Sequence, residues 1–472
     1  MGLTLARALR LSPSIQSEGI AFVGSGGKTT AMFQVARELN DRDAPLESRR
    51  FEMPVVVTTT THLGAWQIPL ADQHFIAQSP NDLPSEFHGV TLVTSLIEGN
   101  KTTPVNESVL LWLHDKSKQG SFHLLIEADG SRQRPLKAPT DHEPAIPSFV
   151  DRVVVVAGLS GLGKPLSDEW VHRPEIFSPL SDLPLGEIIT ADALSRVLTH
   201  PEGGLKNIPP ASRRALILNQ ADTPSLQSQG GTLASSLLNH YDSVIVGSLQ
   251  NSFLQAFERT AGIILAAGES KRFGAPKQLL DWRGQPFIRV VAQTALKAGL
   301  SPVIVVTGAN ANQVEAAVKD LDVIITRNHE WQSGQASSIR SGLKALPSPS
   351  LRDISPKSKG FGRGREEVVG SAIFLLADQP QIGSEVIRAL VSHHAAELHP
   401  IVAPLVLEEQ RANPVLFDRD TFPDLMKLEG DIGGRAIFSK HRVEFMPWHD
   451  DRLLLDVDKP EDYQRLTEDD TL

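Results

Sequence analysis

The sequence predicts an α/β protein of two domains, and three observations carry that reading. At 472 residues the chain exceeds what one ordinary hydrophobic core covers. Short apolar runs alternate with segments of helical period, the pattern of parallel sheets covered by helices. The strand candidates fall into two series, residues 20–23, 55–58, 124–126, 153–157, 215–218 and 244–246, then residues 262–265, 303–306, 323–325, 372–376 and 401–403. The expected domains are residues 1–258 and 259–472, joined around residues 253–260.

Composition narrows the class. Hydrophobic residues make up 40% of the chain and charged residues 22%, a globular balance. A net charge of -10 argues against a general nucleic-acid surface, which needs a basic face to displace counterions. The chain has no cysteine, which removes disulfides, thiolate metal sites and cysteine nucleophiles and fits a reducing compartment. The first residues lack a secretion signal, and no apolar run approaches the roughly 20 residues of a membrane helix. The expectation is a cytoplasmic protein with neither a membrane nor a nucleic-acid partner.

In the first half, the strand at residues 20–23 runs into Gly24-Ser25-Gly26-Gly27-Lys28-Thr29-Thr30, and a helical pattern follows to residue 39. This is the strand, glycine loop, Lys-Thr and helix order of a phosphate-binding loop, so a P-loop-like parallel sheet is expected. Its spacing departs from G-x-x-x-x-G-K-[ST], because Phe22 stands at the first glycine. Lys28 would meet the outer phosphates and Thr29 a metal ion. Glu127 and Asp129 end a later apolar run, as acids of Walker-B type would. Thr58-Thr59-Thr60-Thr61-His62 follows another strand, and His62 reads as well as a surface group as a catalytic one. Asn219-Gln220-Ala221-Asp222 is similar to the guanine-reading N-K-x-D, with Gln220 in place of lysine. Either ATP or GTP therefore suits this half.

The second half carries the denser motif, Leu265-Ala266-Ala267-Gly268-Glu269-Ser270-Lys271-Arg272-Phe273-Gly274-Ala275-Pro276-Lys277, directly after a strand. Small residues at Ala266, Ala267 and Gly268 let backbone amides approach a base and phosphates. Arg272 and Lys277 supply positive charge for a triphosphate, one as a planar fork and one as a point charge. Asp378 follows an apolar strand, where carboxyl ends of parallel strands open onto a ligand crevice, and suits Mg²⁺. Asp458, or its neighbour Asp456, is the second metal-side acid; Asp458 reads equally as a helix cap before Pro460. Residues 347–370, rich in Pro, Ser, Gly and basic residues, form an insertion. It reads as a mobile surface loop, with a basic lid over an anion as the functional alternative.

On these residues the second half resembles the MobA-like nucleotidyltransferases, and within them the molybdenum cofactor cytidylyltransferases. Further motifs in the same order are Gly334-Gln335-Ala336-Ser337-Ser338, Leu376-Ala377-Asp378-Gln379-Pro380, Arg411-Ala412-Asn413-Pro414 and Gly430-Asp431-Ile432-Gly433-Gly434-Arg435, ending with Leu455-Asp456-Val457-Asp458. The likeness covers residues 261–466 and implies a Rossmann-like sheet. It also implies that Gly334 and Ser338 meet the nucleobase, and that the turn at 430–435, with Asn413, meets the acceptor. The implied reaction transfers CMP from CTP to molybdopterin, or to its molybdenum-loaded form, and releases pyrophosphate. Ala267 is similar to the cytidylyl group, whereas guanylyl relatives usually carry a second glycine there. Alternatives are guanylyl transfer, a sugar-phosphate acceptor, or a cofactor-carrying chaperone with a nucleotide switch.

The first half resembles the YqeC family of accessory proteins for selenium-dependent molybdenum hydroxylases. The motifs are Gly24 to Thr30, Thr58 to His62, Glu127-Ala128-Asp129-Gly130-Ser131-Arg132, Pro135-Leu136-Lys137, His142-Glu143-Pro144 and Val171-His172-Arg173-Pro174-Glu175. The resemblance implies a partner, the apo-enzyme of a molybdenum hydroxylase of the xanthine dehydrogenase family. His172 and Arg173 read as anion ligands or as a helix cap.

Overall fold

The computed structural model describes residues 2–11, 17–40, 53–270, 273–347, 368–407 and 410–468. The chain divides into two compact units, Met1–Phe257 and Glu258–Leu472. Among the described residues no helix is long and apolar enough to cross a membrane.

In the first unit parallel strands lie in the order Gln73–Ile76, Val90–Thr94, Val55–Thr59, His123–Glu127, Gly19–Gly24, Arg152–Gly158, Arg213–Asn219 and Ser243–Ser248. Runs such as Val55-Val56-Val57 and Val153-Val154-Val155-Val156 are wholly buried, because helices cover both faces of a parallel sheet. The helix Lys28–Leu39 turns Ala31, Met32, Val35, Ala36 and Leu39 inward at helical spacing. The helices Glu107–Lys118, Ala191–Thr199 and Pro224–Leu237 start on side-chain caps from Asn106, Thr190 and Thr223. The strand Gly19–Gly24 lies between His123–Glu127 and Arg152–Gly158, so the sheet order reverses beside it and opens a crevice at its carboxyl end.

The second unit is mixed. Ile324–Arg327, Val303–Thr307, Phe253–Ala266 and Val369–Leu376 run parallel. Val415–Asp418 then pairs antiparallel with Val369–Leu376 and with Ile401–Val406, which in turn takes Val443–Trp448 as a parallel neighbour. The helices Phe287–Lys297 and Ser384–Glu397 pack into one core cluster with Ile264, Val305 and Ile373. The helix Gln335–Lys344 packs on the other face, with Ile263, Val306 and Phe374.

The two units meet at Phe257 and Glu258, inside the expected junction 253–260, and that segment forms part of the strand Phe253–Ala266. Leu254 and Ala256 alternate inward there, a strand signal hidden by the charges of Glu258 and Arg259. Of the expected insertion at 347–370, residues 348–367 lie outside the described residues, and Val369 and Gly370 already belong to a strand.

Candidate functional site

In the second unit the strand Phe253–Ala266 delivers Leu265 and Ala266 to the carboxyl edge of the sheet, and Ala267, Gly268 and Ser270 turn away from it. The turn is held from beneath by buried Gln278, whose Nε2 donates to the carbonyls of Ala266 (3.4 Å) and Gly268 (3.0 Å). Ser270 adopts φ 57° and its Oγ accepts from the Lys277 amide at 3.1 Å, which orients the lysine. A Cβ built on Gly268 meets nothing within 4 Å, so no described protein atom requires a glycine there. The open space belongs to a cleft of about 780 Å³, lined by Leu265, Ala266, Ala267, Gly268, Gly334, Ser338, Lys277, Asp378 and Asp458. Arg272, expected as the second cation, lies outside the described residues.

The charged centre of this cleft is one lysine between two acids. Lys277 Nζ stands 3.2 Å from Asp378 Oδ2 and 2.8 Å from Asp458 Oδ1. Burial alone would push the Lys277 ammonium down, but the hydrogen bond with Asp458 and the charge of Asp378 outweigh it and hold its pKa above the usual value. Asp456 keeps contact with solvent, yet surrounding protein bulk raises its carboxyl pKa. The Asp378 and Asp458 charges add to that rise against a 2.6 Å hydrogen bond from Gln379 Nε2. Gln379 Oε1 is buried without a hydrogen-bond partner beside these acids.

The cleft wall opposite is built from the helix Gln335–Lys344. Gly334 precedes it at φ 105°, and a Cβ there would lie 2.5 Å from the Asp431 amide nitrogen and from the Gly430 carbonyl oxygen. A close backbone approach to the turn at 430–435 therefore demands this glycine, whatever else it touches. Ser338 Oγ and Ser337 Oγ both receive hydrogen bonds from buried Asn328 Nδ2, at 3.0 and 2.7 Å. Asn328 and the cleft-lining Trp331 carry no mark in their local sequence, and Gln278 and Gln379 stand beside motif residues with no role legible there. At the turn, Arg435 Nη2 donates to Asn413 Oδ1 at 3.2 Å and to the Arg411 carbonyl at 3.3 Å.

In the first unit the glycine loop has the conformation its composition requires. Gly24, Gly26 and Gly27 adopt φ of 95°, 78° and 113°, and a Cβ on Gly24 would fall 2.2 Å from the Val156 carbonyl oxygen. Lys28 opens the following helix, yet it is only 3% exposed and ion-pairs with Glu127 (3.1 Å) and Asp129 (3.2 Å). Burial would lower its pKa, and the two carboxylates override this and raise it. Thr29 Oγ1 donates to Glu127 Oε2 at 2.8 Å, while Thr30 is exposed. Asp129 also accepts from the Gly24 amide (2.9 Å) and from Lys137 Nζ (2.8 Å).

Lys137 continues the network to Glu143 at 3.0 Å, and Arg173 grips both oxygens of Glu143 at 2.7 and 3.1 Å. Burial would raise the Glu143 carboxyl, but Arg173 and Lys137 pull it down to about 2. Arg173 thus serves this network, and His62 Nδ1 is engaged by the Thr102 carbonyl at 3.0 Å. Asn219 Nδ2 donates to the Gly26 carbonyl at 2.7 Å and its Oδ1 accepts from Leu249, so its amide supports the loop. The cavity against Gly24 and Ser25 holds only about 40 Å³.

Comparison with known proteins follows the same division. The YqeC protein family matches residues 20–175, and the MobA-like NTP transferase domain family matches residues 262–445. Among relatives, YqeC of Escherichia coli (strain K12) is 30% identical over 43% of this chain and 75% of its own length. The nicotine blue oxidoreductase of Paenarthrobacter nicotinovorans is 31% identical over 43% of this chain and 95% of its own. The crystal structure of Rv0371c from Mycobacterium tuberculosis H37Rv aligns with 44% of this chain and 98% of that one, at 27% identity and a TM-score of 0.36. The chain belongs to the YqeC family through its first unit, and its second unit carries the match to the MobA-like NTP transferase domain over residues 262–445.

Proposed function

We propose that the second unit is a magnesium-dependent cytidylyltransferase that moves CMP from CTP to molybdopterin or its molybdenum-loaded form. The observation that carries this reading is Lys277 held between Asp378 and Asp458 in the cleft formed by Leu265 to Gly268, Gly334 and Ser338. The donors that converge there are carboxylate oxygens, the set that hard divalent cations prefer. Asp378 and Asp458 would hold Mg²⁺. The ion would neutralise charge on the phosphates and shield the α-phosphorus from repulsion.

The terminal phosphate oxygen of the acceptor attacks the α-phosphorus of CTP, the bond to the β-phosphate oxygen breaks, and pyrophosphate leaves. No side-chain nucleophile is needed. Lys277 stays cationic through the working pH range because its acids stabilise the charged form, and it stands ready to pair with phosphate oxygens. Gly268 leaves room for the nucleotide, and Ser338, oriented by Asn328, offers a fixed hydroxyl toward the base. Arg272 supplies a second cation. Arg435 and Asn413 form the acceptor side.

For the first unit, residues 1–258, we propose binding of ATP or GTP at Gly24, Gly26, Gly27, Lys28, Thr29 and Thr30, with Glu127 and Asp129 as acids. The supporting observation is the contact of Lys28 and Thr29 with those acids at the carboxyl ends of adjacent strands. Phosphate binding would draw Lys28 away from them. In this reading residues 259–472 make the dinucleotide cofactor, and the first unit aids its transfer to a molybdenum hydroxylase apo-enzyme.

The test is incubation of the full chain with Mg²⁺, molybdopterin or its molybdenum form, and each nucleoside triphosphate in turn. Pyrophosphate release with CTP alone is expected. Release with GTP alone replaces cytidylyl by guanylyl transfer, and no release with any triphosphate overturns the reading.

A further inference from the structure

We propose that His393, His399 and Glu444 form a binding site for a divalent transition metal of the zinc class, at the end of the second unit's sheet away from Asp378. The topology sets that separation. Ile401–Val406 and Val369–Leu376 are both antiparallel to Val415–Asp418, so they run in the same direction. His399 precedes the first of these strands and Asp378 follows the second, which puts them at opposite ends. Glu444 lies beside Val402 on the neighbouring strand Val443–Trp448, and His393 comes from the C-terminal half of the helix Ser384–Glu397.

One ligand atom from each of the three residues lies within 4.8 Å of the others. His393 Nε2 is 3.7 Å from Glu444 Oε1, and His399 Nε2 is 3.9 Å from Glu444 Oε2. Both separations are too long for hydrogen bonds, so the two imidazoles face the carboxylate without closing on it. Around a tetrahedral zinc ion, with bonds near 2.0–2.1 Å, neighbouring donors stand roughly 3.3–3.4 Å apart. The two measured separations exceed that spacing by roughly 0.3–0.6 Å, and no pair of the three donor atoms exceeds it by more than about 1.5 Å. His399 is 7% exposed, which fixes its ring by packing, while His393 and Glu444 keep an open side.

The donor chemistry favours zinc, cobalt or nickel over magnesium, because imidazole nitrogen outnumbers carboxylate oxygen. Glu397 Oε2 is 3.4 Å from His399 Nε2 and is a fourth donor within reach. The competing cation is Arg442, 3.4 Å from Glu444 Oε2, and at 67% exposed it can move into solvent. A bound ion would clasp the end of a helix to two parallel strands, a structural clamp chemically separate from the all-oxygen site at Asp378.

The experiment strips the full chain with chelator and titrates Co²⁺ as a spectroscopic probe, then Zn²⁺ as competitor, in saturating Mg²⁺. The expected result is one Co²⁺ per chain with the visible bands of tetrahedral cobalt, displaced by Zn²⁺. At a hundredfold excess over Kd, Zn²⁺ should raise the melting temperature of the second unit by roughly 5–10 °C. His393→Ala and Glu444→Gln, both at partly exposed positions, should abolish the bands with unchanged circular dichroism, and Asp378→Ala should retain them. Absence of stoichiometric binding in the wild type, or persistence of the bands in a His393→Ala/Glu444→Gln double variant, overturns the proposal.

Discussion

Each unit holds a lysine between two carboxylates near the carboxyl ends of parallel strands, and the two clusters differ in how much water reaches them. Lys28 is 3% exposed, and its partners Glu127 and Asp129 show 6% and 2% of their side chains. Lys277 shows 12% of its side chain, but Asp378 and Asp458 show 33% and 59%. In the first cluster each charge depends on its neighbours, since an unpaired ion in that setting has no solvent to fall back on. In the second, water stabilises whatever the partners leave unpaired. The same charge pattern is therefore closed off by its own partners in one place and open to water in the other. The spaces beside them agree, about 40 Å³ against about 780 Å³.

Substitutions can break this contrast or sharpen it. The largest effect should come from Asp378→Ala, which should lower pyrophosphate release by roughly a hundred- to a thousandfold with an unchanged thermal transition. Wild-type release would remove Asp378 from the site. Next, Lys28→Ala should destabilise the first unit by roughly 3–5 kcal/mol, because Glu127 and Asp129 would be left buried and unpaired. Lys277→Ala should cost under about 1 kcal/mol while abolishing transfer. Equal losses of stability in denaturant titrations of the two variants would erase the distinction.

Two glycines probe the second unit's cleft in the same way. Gly334→Ala should cost about 1–3 kcal/mol, since its φ and its contact with Gly430 and Asp431 both resist a side chain. Gly268→Ala meets open space, so stability should change by less than about 0.5 kcal/mol while the KM for the nucleotide rises. A last test is the pH dependence that one carboxylate of the first unit contributes. Glu143 has a folded pKa of about 2, depressed from an ordinary 4.5. The stability it contributes is complete above the ordinary value and is lost as pH falls toward 2. Melting curves of Glu143→Gln should converge with wild type across that interval; parallel curves would refute the linkage.

Much of the fold was legible because buried parallel strands appear as unbroken apolar runs, such as Val153-Val154-Val155-Val156. Val415–Asp418 was missed although Val415, Leu416 and Phe417 form a short buried run, and other missed strands lack that signal. Gln73–Ile76 and Val443–Trp448 are half-exposed and mix polar with apolar residues, and Val90–Thr94 is interrupted by Thr91. At the site, Lys277 and Asp378 were visible because each follows a strand in a compact motif. Their supports were not. Gln379 reaches Asp456 across 77 positions, and Asn328 reaches the helix at Ser337 and Ser338 from the end of a different strand. Lys137 stands in the motif Pro135-Leu136-Lys137 with no partner legible nearby, and the fold sets it between Asp129 and Glu143. Such partnerships depend on tertiary folding and leave no local pattern.

One contact in the second unit bears on what its cleft can admit. Asp431 Oδ1 accepts from the Gln335 amide at 3.2 Å, so the turn at 430–435 places its own carboxylate on the positive end of the helix Gln335–Lys344. The chain supplies a resident anion at the wall of the nucleotide cleft. A negatively charged ligand that seeks the same amides has to evict Asp431, and the turn that carries Asp431 also carries Arg435. Asp431 and Arg435 are therefore tied to one turn, and whatever displaces the first moves the backbone that carries the second.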